Sequence, residues 1–478
     1  MDWKQQLLTV FSHVLSILTL VLAVLLVARL LSERRQPSAT FAWLLGIGLV
    51  PYVGIPLFLL FGGRKIRKLA REKDPLRPPP TGQPRISVSG SFLPNFEGAY
   101  PVSHDNSVMF LDRGEDTFRE FVRQIEEARE SIEILTFILG NDSTGKEIVE
   151  RLARRASEGV RVRLLLDALG SMATLGQFVQ PLRDAGASVA KFMPVFPIQS
   201  RWSANLRNHR KIAVFDGARA IVGGHNLARE YLGAAPERDR WIDFGALICG
   251  SAALDLRRIF LADWNYATDE SESESAILEA FHRSSKASQG RPAGSSSIQV
   301  MAGGPDVPDD TLHEAIVSLI QEADSRLWII TPYFVPDEVV FRSLLVKART
   351  RREIRLIIPE RSNHHIADVA RRHALRDLHR AGVEILLHRG PMLHAKALIA
   401  DDRIGMIGSV NMDARSLLVN FEVGVFLRSP QDVLALSHWA DGLVRSCRGF
   451  GSEELETKPG GRLSTLAEDA ARLIAPLL

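Results

Sequence analysis

Residues 208–226 read NHRKIAVFDGARAIVGGHN, and residues 393–411 read LHAKALIADDRIGMIGSVN. His209, Lys211, Asp216, Gly224 and Asn226 in the first stretch recur as His394, Lys396, Asp401, Ser409 and Asn411 in the second. Every pair is 185 residues apart. Five matches at one offset mark a duplication. In each copy His and Lys are two residues apart, so an extended strand points both to one face. Asp216-Gly217 is a hairpin signal flanked by β-rich residues, and Asp401-Asp402 occupies the equivalent turn. Gly223-Gly224 and Gly408-Ser409 end the return strands with small residues, which would let a phosphate approach the backbone.

Upstream of each motif the same order of elements repeats. TFREFVRQIEEARESIEILTFIL (117–139) matches TLHEAIVSLIQEADSRLWIITPYFV (311–335), each a helical run ending in an apolar strand. A second helix–strand unit pairs 145–167 with 338–359, and a third pairs 181–192 with 375–388. Helices alternating with β-rich runs predict an α/β fold with strands covered on both faces. The duplication is too long for a solenoid, so two pseudo-symmetric domains are expected, each a mixed β-sheet flanked by helices. Their bounds are placed at 101–290 and 291–478. PLRPPPTGQP (75–84), with five prolines, reads as a stiff spacer inside a linker over 72–100. The Ser- and charge-rich 269–297 reads as a mostly flexible connector.

The N-terminus has a different composition. Residues 5–28 and 36–63 carry no formal charge, and each exceeds the roughly 20 residues that cross a bilayer core. A pair of transmembrane helices is expected at about 5–28 and 41–61, within an anchor over 1–71. Gly46, Gly48, Pro51, Gly54 and Pro56 predict a kinked or partly re-entrant second span. Residues 1–71 hold nine Lys/Arg against two acids, a net of +7, so the overall +3 leaves −4 on the remainder. A basic excess beside an apolar anchor, with an acidic body, argues against nucleic acid as partner. Lys4 and the five basic residues at 64–71 outnumber Arg29, Arg34 and Arg35 between the spans, which favours a multi-pass protein with its body on the cytoplasmic side.

Two histidines, two lysines and two asparagines converging suit a phosphodiester. Lys211, Lys396, Asn226 and Asn411 can hold its nonbridging oxygens. One imidazole can attack phosphorus while the other transfers the protons. Cys249 and Cys447 are isolated, which excludes a cysteine-based zinc module, and HExxH is absent. Of His364, His365, His373, His379 and His388, one of the adjacent pair is expected to line the headgroup site. Leu463, Leu466, Ala470, Leu473, Ile474 and Leu477 recur at helical spacing, compatible with a membrane-surface helix or with docking on the body.

The paired HxKxxxxD motifs resemble the phospholipase D superfamily. RRQPSATFAW (34–43), TPYFVPDE (331–338), NMDARSLLVNFEVGV (411–425) and the ending ARLIAPLL resemble bacterial cardiolipin synthases over nearly the whole chain. The resemblance implies two phospholipase D-like domains at a bacterial inner membrane. It implies transfer of a phosphatidyl group from one phosphatidylglycerol to another, releasing glycerol, with no metal or other cofactor required. His209, Lys211, Asp216, His394, Lys396 and Asp401 are then the catalytic set, with Asn226, Asn411, Gly224 and Ser409 at the substrate phosphate. Asp243 and Glu422 are the carboxylates that orient the histidines, and His209 is the attacking group. A hydrolytic phospholipase D, a nuclease of the same fold and a non-catalytic membrane scaffold are the competing readings. Oligomeric state, homo-oligomers included, stays open.

Overall fold

The computed structural model describes residues 3–32, 37–58, 73, 75–76, 98–195, 205–287, 294–350, 352–451 and 468. The chain divides into two compact units, Met1–Lys68 and Leu69–Leu478.

In the first unit the uncharged run 5–28 lies inside one helix, Trp3–Ser32, of 30 residues. Its stretch Thr9–Ala28 is long and apolar enough to cross a membrane, with mean hydropathy 2.6. Val10, Phe11, Leu18 and Leu25 are exposed on it, an apolar surface that calls for lipid rather than water. The second expected span is not one continuous helix. Pro51 has no N–H to donate, and the segment breaks into Pro37–Leu49 and Pro51–Leu57. Gly54 is required at the bend, because a Cβ there would lie 2.1 Å from the Gly46 carbonyl oxygen. Ile47, Ile55 and Phe58 pack with Leu26 of the long helix. Residues 59–61 of the expected span lie outside the described residues.

In the second unit the three helix–strand repeats form as the periodicity predicts. Gly114–Glu127 leads to Ser131–Thr136, Ser143–Ser157 to Arg161–Asp167, and Gln180–Asp184 to Ser188–Phe192. The later copies are Thr311–Glu322 with Arg326–Ile330, Glu338–Ala348 with Glu353–Pro359, and His365–Arg380 with Glu384–His388. Among the described residues the strands of both halves join one mixed 15-stranded sheet. From the middle outward, the first half runs Ser103–Leu111, Gly245–Cys249, Arg219–Gly223, Ile212–Phe215, Ser131–Thr136, Arg161–Asp167 and Ser188–Phe192. The second half runs in the same order from Ser296–Gly303 through Glu422–Leu427, Ile404–Gly408 and Ala397–Ala400 to Arg326–Ile330, Glu353–Pro359 and Glu384–His388, ending on Cys447–Gly449. The halves meet where Ser103–Leu111 pairs antiparallel with Ser296–Gly303.

One apolar core layer runs along the sheet under both halves, built from residues such as Val214, Ile248, Ile298, Val425 and Leu436. The opposite face carries a separate core in each half. This is the two-faced burial that near-continuous apolar strands require.

One linker expectation needs correction. The connector 269–297 contains a helix, Glu274–Ala287. Ile277, Ala280 and Phe281, at i, i+3 and i+4, are buried, and Arg258–Glu274 and Arg283–Glu130 tie the helix to the body. The linker 72–100 is not free at its ends, since Lys73, Leu76 and Tyr100 are buried. The remainder of 77–97, and the C-terminal apolar repeat at 463–477 apart from Glu468, lie outside the described residues.

Candidate active site

The two motif histidines sit where the halves touch, each just before its hairpin. His209 donates its backbone N–H to Phe421 O (2.9 Å), and His394 donates its own to Ile242 O (2.7 Å). Each anchoring carbonyl belongs to the other half, and the residue after it is a carboxylate. His209 Nδ1 lies 3.0 and 3.1 Å from the Glu422 carboxylate oxygens, and His394 Nδ1 lies 2.6 Å from Asp243 Oδ2. Asp243 and Glu422 thus reach the histidines, but crosswise. The carboxylate that follows one motif in sequence serves the histidine of the other.

Gly224 and Ser409 both lie against the carboxylates at the histidines. A Cβ at position 224 would lie 2.0 Å from Asp243 Oδ1, so the missing side chain makes room for that carboxylate. Ser409 donates its hydroxyl to Glu422 and accepts Val423 N–H at 3.0 Å. Both small residues support the orienting acids.

Asp216 and Asp401 also stand apart from the histidines. They cap the far ends of their strands, about 16 Å along the extended chain from the lysines. Both adopt positive φ, +52° and +53°, in the hairpin turns. Asp216 accepts the N–H groups of Arg129, Glu130 and Ser131, and Asp401 those of Asp324, Ser325 and Arg326. Each staples its turn to the start of the neighbouring strand. Asp216→Ala is expected to cost about 1–3 kcal/mol by stranding those donors. Thermal unfolding reads that loss, while turnover per folded molecule should hold.

The electrostatics favour neutral imidazoles. Burial, with Lys211 and Lys396, lowers the His209 pKa although Glu422 acts to raise it. Burial and Lys396 together push His394 down to about 3 despite Asp243. Burial would raise both carboxylates, but His394 and Lys396 hold Asp243 down, and His209 and Lys211 hold Glu422 down. Burial also brings Lys211 to about 7 and Lys396 to about 8. Lys211 Nζ donates to His209 O at 2.8 Å, and Lys396 Nζ lies 2.8 and 3.0 Å from the two His394 ring nitrogens. The His209 Nε2 makes no hydrogen bond among the described residues.

The asparagines differ. Asn226 accepts Ile138 N–H at 3.2 Å and bonds Tyr231, whereas Asn411 Oδ1 is buried with no hydrogen-bond partner among the described residues.

Several residues around the site carry no motif signal. Phe137 meets His209 edge-on at 5.1 Å. Tyr231, Trp241 and Tyr333 surround His394 at 5.0, 5.4 and 6.4 Å. His364 packs on Tyr333 at 5.1 Å. These contacts come from loops of both halves and have no fixed spacing to betray them.

Comparison with known proteins agrees with this geometry. A family described as cardiolipin synthase, PLD-like domain, matches residues 121–264 and 316–443, and a phospholipase D-nuclease N-terminal family matches 18–63. The chain is 33% identical to a cardiolipin synthase of Geobacillus kaustophilus over 499 aligned residues, covering 100% of this chain and 95% of the relative. It is 33% identical to cardiolipin synthase 2 of Bacillus cereus, covering 93% and 88%. Phosphatidylserine synthase of Haemophilus influenzae shares the fold, with TM-score 0.58 at 18% identity over 78% of this chain and 95% of that one. With both halves matched and relatives aligned end to end, the chain belongs to the cardiolipin synthases of the phospholipase D superfamily, enzymes of phosphatidyl transfer.

Proposed function

We propose that the crossed pair of histidines carries out a two-step transfer between two phosphatidylglycerol molecules. His209 Nε2 attacks phosphorus of the first lipid, and a phosphatidyl–His209 bond forms as the bond to the glycerol oxygen breaks. The negative charge of the bound phosphodiester favours the imidazolium form of His394 over the neutral form of the empty site; as imidazolium it gives that oxygen its Nε2 proton, becomes neutral, and glycerol leaves. A hydroxyl of the second phosphatidylglycerol then passes its proton to His394 and attacks the same phosphorus. Cardiolipin forms and His209 is released. Glu422 and Asp243 hold the imidazoles through Nδ1, and Lys211, Lys396, Asn226 and Asn411 take the nonbridging oxygens. The observation that carries this reading is the pairing of each histidine with a carboxylate of the other half. It supports a single centre built from both imidazoles, as does the electrostatic influence of Lys396 on His209 and of Lys211 on His394. The unengaged Nε2 of His209, whose side chain is 12% exposed against 4% for His394, favours His209 as attacker.

The equal strand order of the halves supports a pseudo-twofold relation between two phospholipase D-like domains. The basic flank supports a multi-pass anchor at a bacterial inner membrane with the body in the cytoplasm. Incubating the purified protein with phosphatidylglycerol tests the function. Cardiolipin with free glycerol is expected; phosphatidic acid with glycerol would mean hydrolysis instead.

Two further outcomes follow from the charge arrangement. The lysines supply the positive charge that metal ions supply in many phosphoryl-transfer sites. Activity should persist in excess EDTA, and a strict requirement for an added divalent ion would contradict the scheme. Phosphate binding favours protonated lysines, and a lysine loses its proton as pH rises through its pKa. With Lys211 at about 7 and Lys396 at about 8, KM for phosphatidylglycerol should begin to rise above about pH 7 and steepen above about pH 8, by up to about tenfold per pH unit for each ionisation. Initial rates across pH 6–10 in vesicles of constant composition check the sign.

A further inference from the structure

Beneath the His209 strand lies a buried ion cluster that the transfer chemistry leaves unused. Arg210, between His209 and Lys211, is fully buried. Its guanidinium donates to both oxygens of Asp263 at 2.8 and 2.9 Å and to Asp306 Oδ1 at 3.1 Å. Asn208, on the other side of His209, donates its amide to Asp263 Oδ2 at 2.8 Å. Lys73 completes the cluster, with Nζ bonded to both Asp263 and Asp306. The same ammonium lies 5.0 Å from the ring centroid of Phe421, whose carbonyl takes the His209 N–H and whose neighbour is Glu422. These four charged side chains are at most 3% exposed.

The charges balance only with Lys73 in place: two cations face two carboxylates. Without it a net negative charge would remain in a site closed to water, and a buried charge robbed of its partner distorts its surroundings. Among the described residues the second half has no such cluster. The counterparts of Asn208 and Arg210 are Leu393 and Ala395, both buried and apolar. The support is therefore specific to His209. Lys73 also comes from an unexpected direction, the stretch between the anchor and the first strand. Leu76 on the same stretch donates its N–H to Asp306 O at 2.8 Å and enters the core, fixing the segment at a second point.

We propose that Lys73 is a positioning residue for the His209 half of the reaction. Its ammonium neutralises Asp263 and Asp306, so that they hold Asn208 and Arg210, and with them the His209 backbone, in the geometry of attack. Lys73 acts through these side chains and through Phe421. The segment that leaves the anchor is then part of the catalytic framework rather than a passive tether. The proposal rests on the reading of His209 as the attacking group.

The test uses the full-length protein in phosphatidylglycerol vesicles, comparing wild type, Lys73→Met, Lys73→Gln, Lys73→Arg and His209→Ala. Cardiolipin formation gives kcat and KM per folded molecule, thermal unfolding gives the folded fraction, and acid quenching gives the covalent adduct. Lys73→Met should lower kcat about 10–100-fold with KM within about twofold, because the lipid contacts remain while the attacking ring is misplaced. Lys73→Gln keeps an amide donor without the charge, and should show the same split if the Met variant does not fold. Lys73→Arg restores the charge and should recover kcat to within a few-fold. A lower unfolding temperature with wild-type kcat in the Met or Gln variant would overturn the proposal, as would a folded Arg variant as slow as they are. Turnover and adduct surviving in His209→Ala would instead overturn the site reading itself.

Discussion

His209→Ala is expected to abolish the covalent phosphatidyl–protein adduct, and His394→Ala to slow both its formation and its breakdown. Proton transfer by a positioned imidazole is worth about 10²–10⁴-fold, and His394 is needed once in each step. Turnover therefore collapses in both variants, and steady-state rates do not separate the roles. Acid-quenched protein, labelled from a phosphatidyl donor and mapped by mass spectrometry, does. Label on His209 is the expected result. Label on His394 would reverse the assignment and leave the two-step scheme standing. No label on either histidine, in a variant shown to trap turnover, would mean direct displacement by the second lipid.

The second large effect follows from the crossed contacts. Glu422→Gln changes a residue of the second half but removes the partner of His209, and Asp243→Asn does the converse for His394. Losing the acid that fixes an imidazole's tautomer costs up to about 10⁴-fold in rate. In single-turnover experiments Glu422→Gln should slow adduct formation more than adduct breakdown. Asp243→Asn should slow both steps, as His394→Ala does. The opposite assortment, with Asp243→Asn affecting only formation, would mean that each carboxylate serves its own half.

Both predictions start from residues visible in the sequence, and their limits are instructive. The 185-residue offset, the hairpins and the helix–strand units are local or repeated features. Periodicity and turn chemistry depend only on neighbours along the chain. Hence the α/β repeats, the duplicated motif and the long apolar N-terminal helix were legible without coordinates. Even there, a long-range contact could override a local reading. The polar tract at 269–297 contains a helix because Ile277, Ala280 and Phe281 find a core to enter.

What no spacing could express is who faces whom. A motif cannot say that Glu422 serves His209, because that contact crosses 213 residues of chain. Nor can it say that Gly224 is small for the sake of Asp243, or that Asp216 pins a turn away from the histidines. The same holds for the aromatic wall at His394 and for Lys73, whose charge has meaning only beside Asp263 and Asp306. The sequence by itself determined the elements, their duplication and the inventory of reactive groups, since these depend on short stretches of chain. Only the tertiary structure decided the pairing of carboxylates with histidines and the burial that tunes the lysines. Partner choice and desolvation are properties of positions brought together in space by the packing of distant segments.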